Sequence, residues 1–342
     1  NRFEKKKYKK FLKILSIRFN KIDNINFKKK NWNKILFYFL LIHITQCSRI
    51  FRSKSKITKF NNIKYIRFKK FYVPNTQNEH RNLFQKSFMG QEKLFEILLQ
   101  SFKKHNLIPI NVKNNLSHNN ISVKQFNFKK YLINLKLLPI RSINFILKIF
   151  IKPYMIVSRC YWSEATKHKV KLKFLGKLIT HDFSIPIIKN SSVYTYERDY
   201  MSSLNKNFDK FDKFFFTTLK FSIPKSLIEN FNYRKKITKN FINQKKFSKI
   251  KYICNENLDE DNLLLNVISS FKEIKSVYIE HNFLHYPFIG STFDLIQENF
   301  DKYITSGWDL NDNKKIINGG SLSHNFNLKK KYNPEIAKYI YF

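Results

Sequence analysis

The chain is poor in small residues, in acids and in long apolar runs, and each shortage removes a class of function. Only six glycines and two alanines (Ala165, Ala337) stand among 342 residues. Neither of the glycine-rich phosphate-binding patterns, GxGxxG and GxxxxGK[ST], occurs, nor do GxSxG or HExxH. Cysteine is confined to positions 47, 160 and 254. An odd number so widely spaced makes neither a disulfide framework nor a paired zinc site, and a reducing compartment is expected. The longest apolar run, Ile35–Ile44, has ten residues, against roughly 20 for a spanning helix. Ile143–Ile151 is shorter and broken by Lys148. The expectation is a buried helix or strand at 35–44 and no membrane insertion. No segment carries the ordered regions of a secretory signal.

What is abundant is base and aromatic ring. Lys and Arg number 65 against 24 acids, a formal net charge of +41, and 36 of the residues are Phe. A wholly disordered basic tail would lack those aromatics; a compact fold with this charge would repel itself unless a polyanion neutralised it. Phe, Ile, Lys, Asn and Tyr replace residues with GC-rich codons, even where Ala makes the better helix. That bias points to an AT-rich, organellar or protist gene and to the mitochondrial matrix.

Charge divides the chain. Residues 1–75 hold 22 Lys/Arg and two acids, Glu4 and Asp23, a net of +20. Residues 256–312 hold 11 acids against three lysines, a net of −8, and are expected to face solvent or a basic protein neighbour. The organisation read from this is a basic RNA-threading extension at 1–75, a helical region with a polar loop at 76–130 and a small α/β RNA-binding domain at 131–200. A basic Lys/Phe-rich connector at 201–255, the acidic region at 256–312 and a basic tail at 313–342 follow. Apolar spacing predicts helices over Glu92–Phe102 and Asn262–Phe271, the latter capped by Asp259 or Asp261. Val170–Ile179 reads as a strand with a turn near Gly176, Asn111–Asn127 as a loop, and Lys206–Lys251 is left without assignment. The expected fold class is α+β: helix-rich and basic, with a small α/β RNA-binding unit and extended basic arms.

Chemistry is harder to find. His281 and His285 share a face if helical, which is half a metal site, though two locally hydrogen-bonded polar residues are the plainer reading. Glu256, Asp259, Glu260 and Asp261 could hold Mg²⁺, but read better as a solvated acidic loop. Cys160, beside Tyr161 and Trp162, reads as a buried thiol and not a nucleophile. The expectation is therefore no enzyme, no cofactor, no metal and no small-molecule substrate. Basic residues between aromatics suit RNA instead, through phosphate neutralisation and base stacking. In the N-terminal segment, Lys28, Lys29, Lys30, Arg49 and Arg52 are candidates for that contact.

Leu135–Arg159 (LKLLPIRSINFILKIFIKPYMIVSR) resembles the entry to the RNA-binding domain of the S-four family of small-subunit ribosomal proteins. Leu135, Leu137 and Leu138 match its leucines, and Arg141, Lys148 and Arg159 its basic positions. Pro139 and Ile143 stand where Glu and Asp are usual. Gly176–Tyr196 resembles the family's small β-unit, Phe71-Tyr72 with His80-Arg81-Asn82 the basic stretch before it, and Tyr278–Asn282 its terminal Leu-Glu-x-Asn. The resemblance implies phosphate contacts from Arg141, Lys148 and Arg159, with Lys167, Lys169, Lys171, Lys173 and Lys177 widening the patch. It further implies a second RNA helix gripped by Lys64, Arg67, Lys69, Lys70 and Arg81. The function expected on these grounds is a structural constituent of a mitochondrial small ribosomal subunit. It would bind ribosomal RNA and meet neighbouring proteins through 256–312. An accessory subunit of a respiratory or ATP synthase complex and a large-subunit protein are the alternatives.

Overall fold

The computed structural model describes residues 2–57, 59–60, 62–68, 71–100, 106–112, 139, 142–143, 146, 150–160, 162–186, 188, 191–256, 259–280, 299–305 and 315–318. In chain order the elements are α1 (Arg2–Ile22), α2 (Lys29–Arg52), α3 (Lys54–Ile57), β1 (Asn62–Phe68), α4 (Gln77–Arg81), a π turn (Asn82–Lys86), α5 (Phe88–Leu99) and β2 (Asn106–Val112). There follow β3 (Met155–Ser158), α6 (Glu164–Lys173), β4 (Leu178–His181), α7 (Thr195–Ser202), α8 (Lys210–Ser222) and α9 (Phe231–Ile242). The last are β5 (Tyr252–Asn255), α10 (Glu260–Ser270), β6 (Lys275–Ile279), β7 (Lys302–Thr305) and β8 (Ile316–Asn318). The fold is α+β with parallel sheets. It divides into two units, each assembled from separated segments: 1–124, 184–241 and 259–268 in the first, 125–183, 242–258 and 269–342 in the second.

The first unit is helical. Along α1, Tyr8, Phe11, Leu12, Leu15 and Phe19 recur at helical spacing and are buried. Phe11 stacks on Phe215 of α8 with centroids 4.1 Å apart and meets Phe216 edge-on at 5.3 Å. Phe19 stacks on Trp32 at 4.8 Å, and Trp32 meets Phe231 at 5.2 Å. The expected N-terminal arm threading RNA is thus corrected: its Phe and Trp residues fill this unit's own core, which removes them from water. Part of its charge is matched internally too. Asp209 and Asp212 form a capping box at the start of α8, and Lys7 pairs with both while Lys10 pairs with Asp212.

The helix α2 is long and apolar enough by length and composition to cross a bilayer. Its Trp32, Ile35, Leu36, Phe37, Phe39, Leu40 and Ile44 are instead buried within the unit. Gln77 at the start of α4 clamps it, donating from Nε2 to the Ile35 carbonyl at 2.9 Å and accepting from the Phe39 amide at 3.2 Å. β1 and β2 form a parallel pair, from Asn62 opposite Asn106 to Phe68 opposite Val112. In α5, a Cβ on Gly90 would lie 2.2 Å from the Leu83 carbonyl oxygen and 2.8 Å from the Phe84 Cα. Both are backbone atoms, so Gly90→Ala must push α5 off the π turn. Urea denaturation should show a loss of about 1–3 kcal/mol.

The acids at 259–261 do not form the expected solvated loop. Asp259 Oδ1 accepts from the Asp261 and Asn262 amides at 3.0 and 2.9 Å, capping α10 as its sequence predicts. Glu260 and Asp261 turn inward onto Arg234 of α9, at 3.0 and 2.8 Å. Glu260 also accepts from the Gln77 amide, and Asp261 from that of Ile185.

Among the described residues, the second unit holds a six-stranded, wholly parallel sheet in the order β4-β3-β5-β6-β7-β8. Met155 pairs with Leu178 on one side and Tyr252 on the other, which sets the register of the first three strands. One face is apolar: Val157, Cys254, Val277 and Ile279 pack with Leu178, Trp162 and Val170 of α6. Of the strand expected over Val170–Ile179, residues 170–173 instead end the helix α6, whose N-cap Ser163 accepts the Thr166 amide, while Leu178 and Ile179 begin β4. The turn falls at Leu175 and Gly176, both left-handed, with φ 47° and 74°. Met155–Arg159 ends in a central parallel strand and not in the RNA-binding helix that the S-four resemblance implies.

Candidate active site

The carboxyl ends of the six strands gather the polar chemistry of the second unit. On the face opposite the apolar one, Ser158, Asn255, Tyr278 and Tyr303 stand side by side across β3, β5, β6 and β7. All four are buried. His181 is Ser158's partner on β4. Glu280, just past β6, and Thr305, at the end of β7, lie two residues further along the same face and are buried as well. Burial first, and then the Glu280 carboxylate, raise the Tyr303 phenol far above its ordinary range, so it stays protonated.

β3 is followed in sequence by β4 on one side, after which the chain crosses back to place β5 on the other. This is a topological switch point, and ligands of open α/β sheets bind in the crevice outside the strand ends at such a point. Arg159 and Glu256 leave the sheet there. Arg159 has φ 48°, a left-handed conformation that is uncommon for a bulky residue and clusters at functional sites. Its Nε donates to the Phe183 carbonyl at 3.0 Å, which ties the β3 loop to the β4 loop. Glu256 is 3% exposed. Close by, burial above all, with the charges of Glu256 and Asp182 adding to it, pushes the Cys160 thiol up to about 11. That matches the buried, unreactive thiol expected of it. Lys167, one turn into α6, contacts Glu164 at 3.0 Å and Asp182 at 3.9 Å. Burial opposes its charge, but these acids outweigh it and its pKa is raised. Among the described residues, no group of three or more His, Cys, Asp or Glu could hold a metal ion.

The family model for LIC12162 family transferases matches residues 2–342. The chain belongs to that family. No curated protein and no solved structure matches it. Membership overturns the ribosomal reading, in either subunit, and with it the S-four resemblance. The respiratory alternative and the expectation of a non-enzyme fall as well. A family of transferases carries out group transfer, and the short matches at 135–159 and 176–196 reflect a sequence rich in Leu, Ile and Lys.

The residues proposed for RNA fall into separate groups. Lys28, Lys29 and Lys30 are exposed at the start of α2, Arg49 and Arg52 at its end, with Arg52 3.8 Å from Glu4. Lys64 and Arg67 are on the exposed side of β1, and Arg81 lies 5.7 Å from the centre of the Tyr38 ring. These belong to the first unit. Arg159, Lys167, Lys169, Lys171, Lys173 and Lys177 belong to the second, four of them on α6. Lys69, Lys70, Arg141 and Lys148 lie outside the described residues, as do His281 and His285. Among those described, only Arg159 and Lys167 stand in the strand-end group. Sequence reading missed Ser158, Asn255 and Tyr303 as site residues, gave Glu280 to the S-four terminal motif, and gave Glu256 to a solvated loop. A usable signal was present: Tyr252–Glu256 (YICNE) and Val277–Glu280 (VYIE) are both short apolar runs ending in a carboxylate.

Proposed function

We propose that this transferase moves a group from a phosphate-activated donor to a hydroxyl-bearing acceptor at the carboxyl end of its six-stranded sheet. The observation that carries the reading is the reversal of strand order at β3, with left-handed Arg159 on the loop that leaves β3 and buried Glu256 on the loop that leaves its neighbour β5. In such a transfer the acceptor oxygen bonds to the electrophilic centre. The bond from that centre to the phosphate oxygen breaks, and its electron pair leaves with the phosphate. Glu256 takes the acceptor's hydroxyl proton, and the Arg159 guanidinium stands where negative charge grows on the leaving phosphate. Lys167, its charge matched by Glu164 and Asp182, holds the β3–α6 turn against the β4 loop.

A panel of nucleoside diphosphates, read by thermal shift, tests the donor side. At least one should raise the melting temperature of the wild-type chain, and Arg159→Ala should abolish that rise. Glu256→Gln should keep the binding yet lower turnover by about 10²–10⁴-fold. The reading fails if no diphosphate stabilises the protein, or if Glu256→Gln turns over at the wild-type rate.

A further inference from the structure

One face of α1 is largely exposed, although Phe3 meets Phe211 of α8 edge-on at 5.1 Å and Lys21 lies 5.2 Å from the centre of the Tyr200 ring. Arg2, Lys6, Lys9, Lys13 and Lys21 are exposed along it, with Phe3 and Ile17 exposed among them at 40% and 61%. At 3.6 residues per turn these seven fall within about 120° of the helix circumference, along a helix about 30 Å long. The only acid of α1, Glu4, lies outside that sector, beside Arg52. Lys7 and Lys10, which α8 engages through Asp209 and Asp212, are not needed for it.

We propose that this stripe docks the protein flat on an anionic lipid surface. Charge complementarity carries the choice of partner: five cations with no acid among them suit a sheet of anionic headgroups. Each contributes to binding within a Debye length of such a surface. The interposed Ile17 adds an apolar contribution that phosphate backbones would not reward. The inference stands apart from the transferase site, since no residue of the second unit enters it.

The test is flotation of the full chain with vesicles of phosphatidylcholine, with and without phosphatidylglycerol. The wild-type protein should float with the anionic vesicles only, and added salt should release it. Lys6→Glu, Lys9→Glu and Lys13→Glu together, all exposed and so compatible with folding, should lower the partition coefficient at least about a hundredfold. Ile17→Ser should lower it by a smaller factor at unchanged salt sensitivity. Reversal of Lys169, Lys173 and Lys177 on the second unit serves as the control for net charge and should leave flotation as it was. Equal loss in the two triple variants would overturn the proposal, because general charge would then explain binding. Release of the wild-type chain from vesicles by an equivalent of single-stranded RNA would overturn it too, in favour of a nucleic-acid partner.

Discussion

Arg198→Ala should cost about 3–5 kcal/mol of stability in urea denaturation, a large fraction of what a domain of this kind possesses. The guanidinium is 1% exposed. It meets Glu229 through both ends of its fork, Nε at 2.7 Å and Nη2 at 2.9 Å. Nη1 donates to the carbonyls of Ile223 at 2.9 Å and Lys220 at 3.2 Å, closing the carboxyl end of α8. Glu229 also accepts the Tyr194 amide at 3.0 Å, just ahead of α7. Truncation at 198 leaves a buried carboxylate and two helix-end carbonyls without their donor. Lysine should not rescue the loss, since an ammonium cannot reproduce the planar fork. A loss under 1 kcal/mol would show that water replaces the guanidinium and that this junction is looser than its geometry.

The second large effect is acid lability of the helical unit. His43 and His80 are both fully buried. The Thr218 hydroxyl donates to the Phe215 carbonyl at 2.6 Å, so at 2.8 Å it accepts from His43 Nε2. The Ser222 hydroxyl, 2.9 Å from the same Nε2, shares that donor, and with Nε2 protonated His43 Nδ1 accepts from His80 Nε2 at 3.2 Å. This chain of donors needs both rings neutral. Burial lowers His43 to about 3, and burial together with the neighbouring His43 takes His80 well below its usual value. Cys47, 3.6 Å from His43, is pushed up to about 12 by burial and stays a thiol. Because the folded values lie below the unfolded one, the unfolded chain binds more protons at acid pH. Stability is full above about pH 6.5 and falls as pH drops toward 3. His43 alone accounts for a loss on the order of 4–5 kcal/mol over that range. The slope should approach about 2.7 kcal/mol per pH unit for two protons, and His80→Phe should halve it. Phe39 and Phe84, each 4.8 Å from the His80 ring, already form a nest that accepts phenylalanine. A stability curve flat from pH 7 to pH 4 would contradict the neutral relay.

How far the sequence could lead depended on the length and exposure of each element. Helix α5 was legible because Leu94, Ile97 and Leu98 repeat at helical spacing, and α10 because Asp259 announces its start. The buried run 35–44 of α2 was legible as well, but the lysines of α1 drew the reading toward an extended arm, since nothing local says that Lys7 meets Asp209. The strands of the second unit were illegible for a different reason. Each has only three to five residues, and a wholly parallel sheet is covered on both faces, so its strands show no alternation. The candidate site inherits that difficulty. Arg159 and Glu256 follow neighbouring strands only because of the strand order, which is a property of the folded chain.

The distance along the chain between Lys7 and its partners also governs how the protein is born. Lys7 and Asp209 are 202 residues apart. At 5–20 residues per second, about 10–40 s of synthesis separate the emergence of α1 from that of the carboxylates that match it. Arg234 likewise waits for Glu260 and Asp261, and the first unit is completed only when 259–268 has been made. Throughout that interval the aromatic side of α1 has no α8 to cover it, which makes the nascent chain a substrate for chaperones. A fragment ending before residue 209 should therefore aggregate, and a circular permutant that brings α8 next to α1 in sequence should fold faster than the natural order.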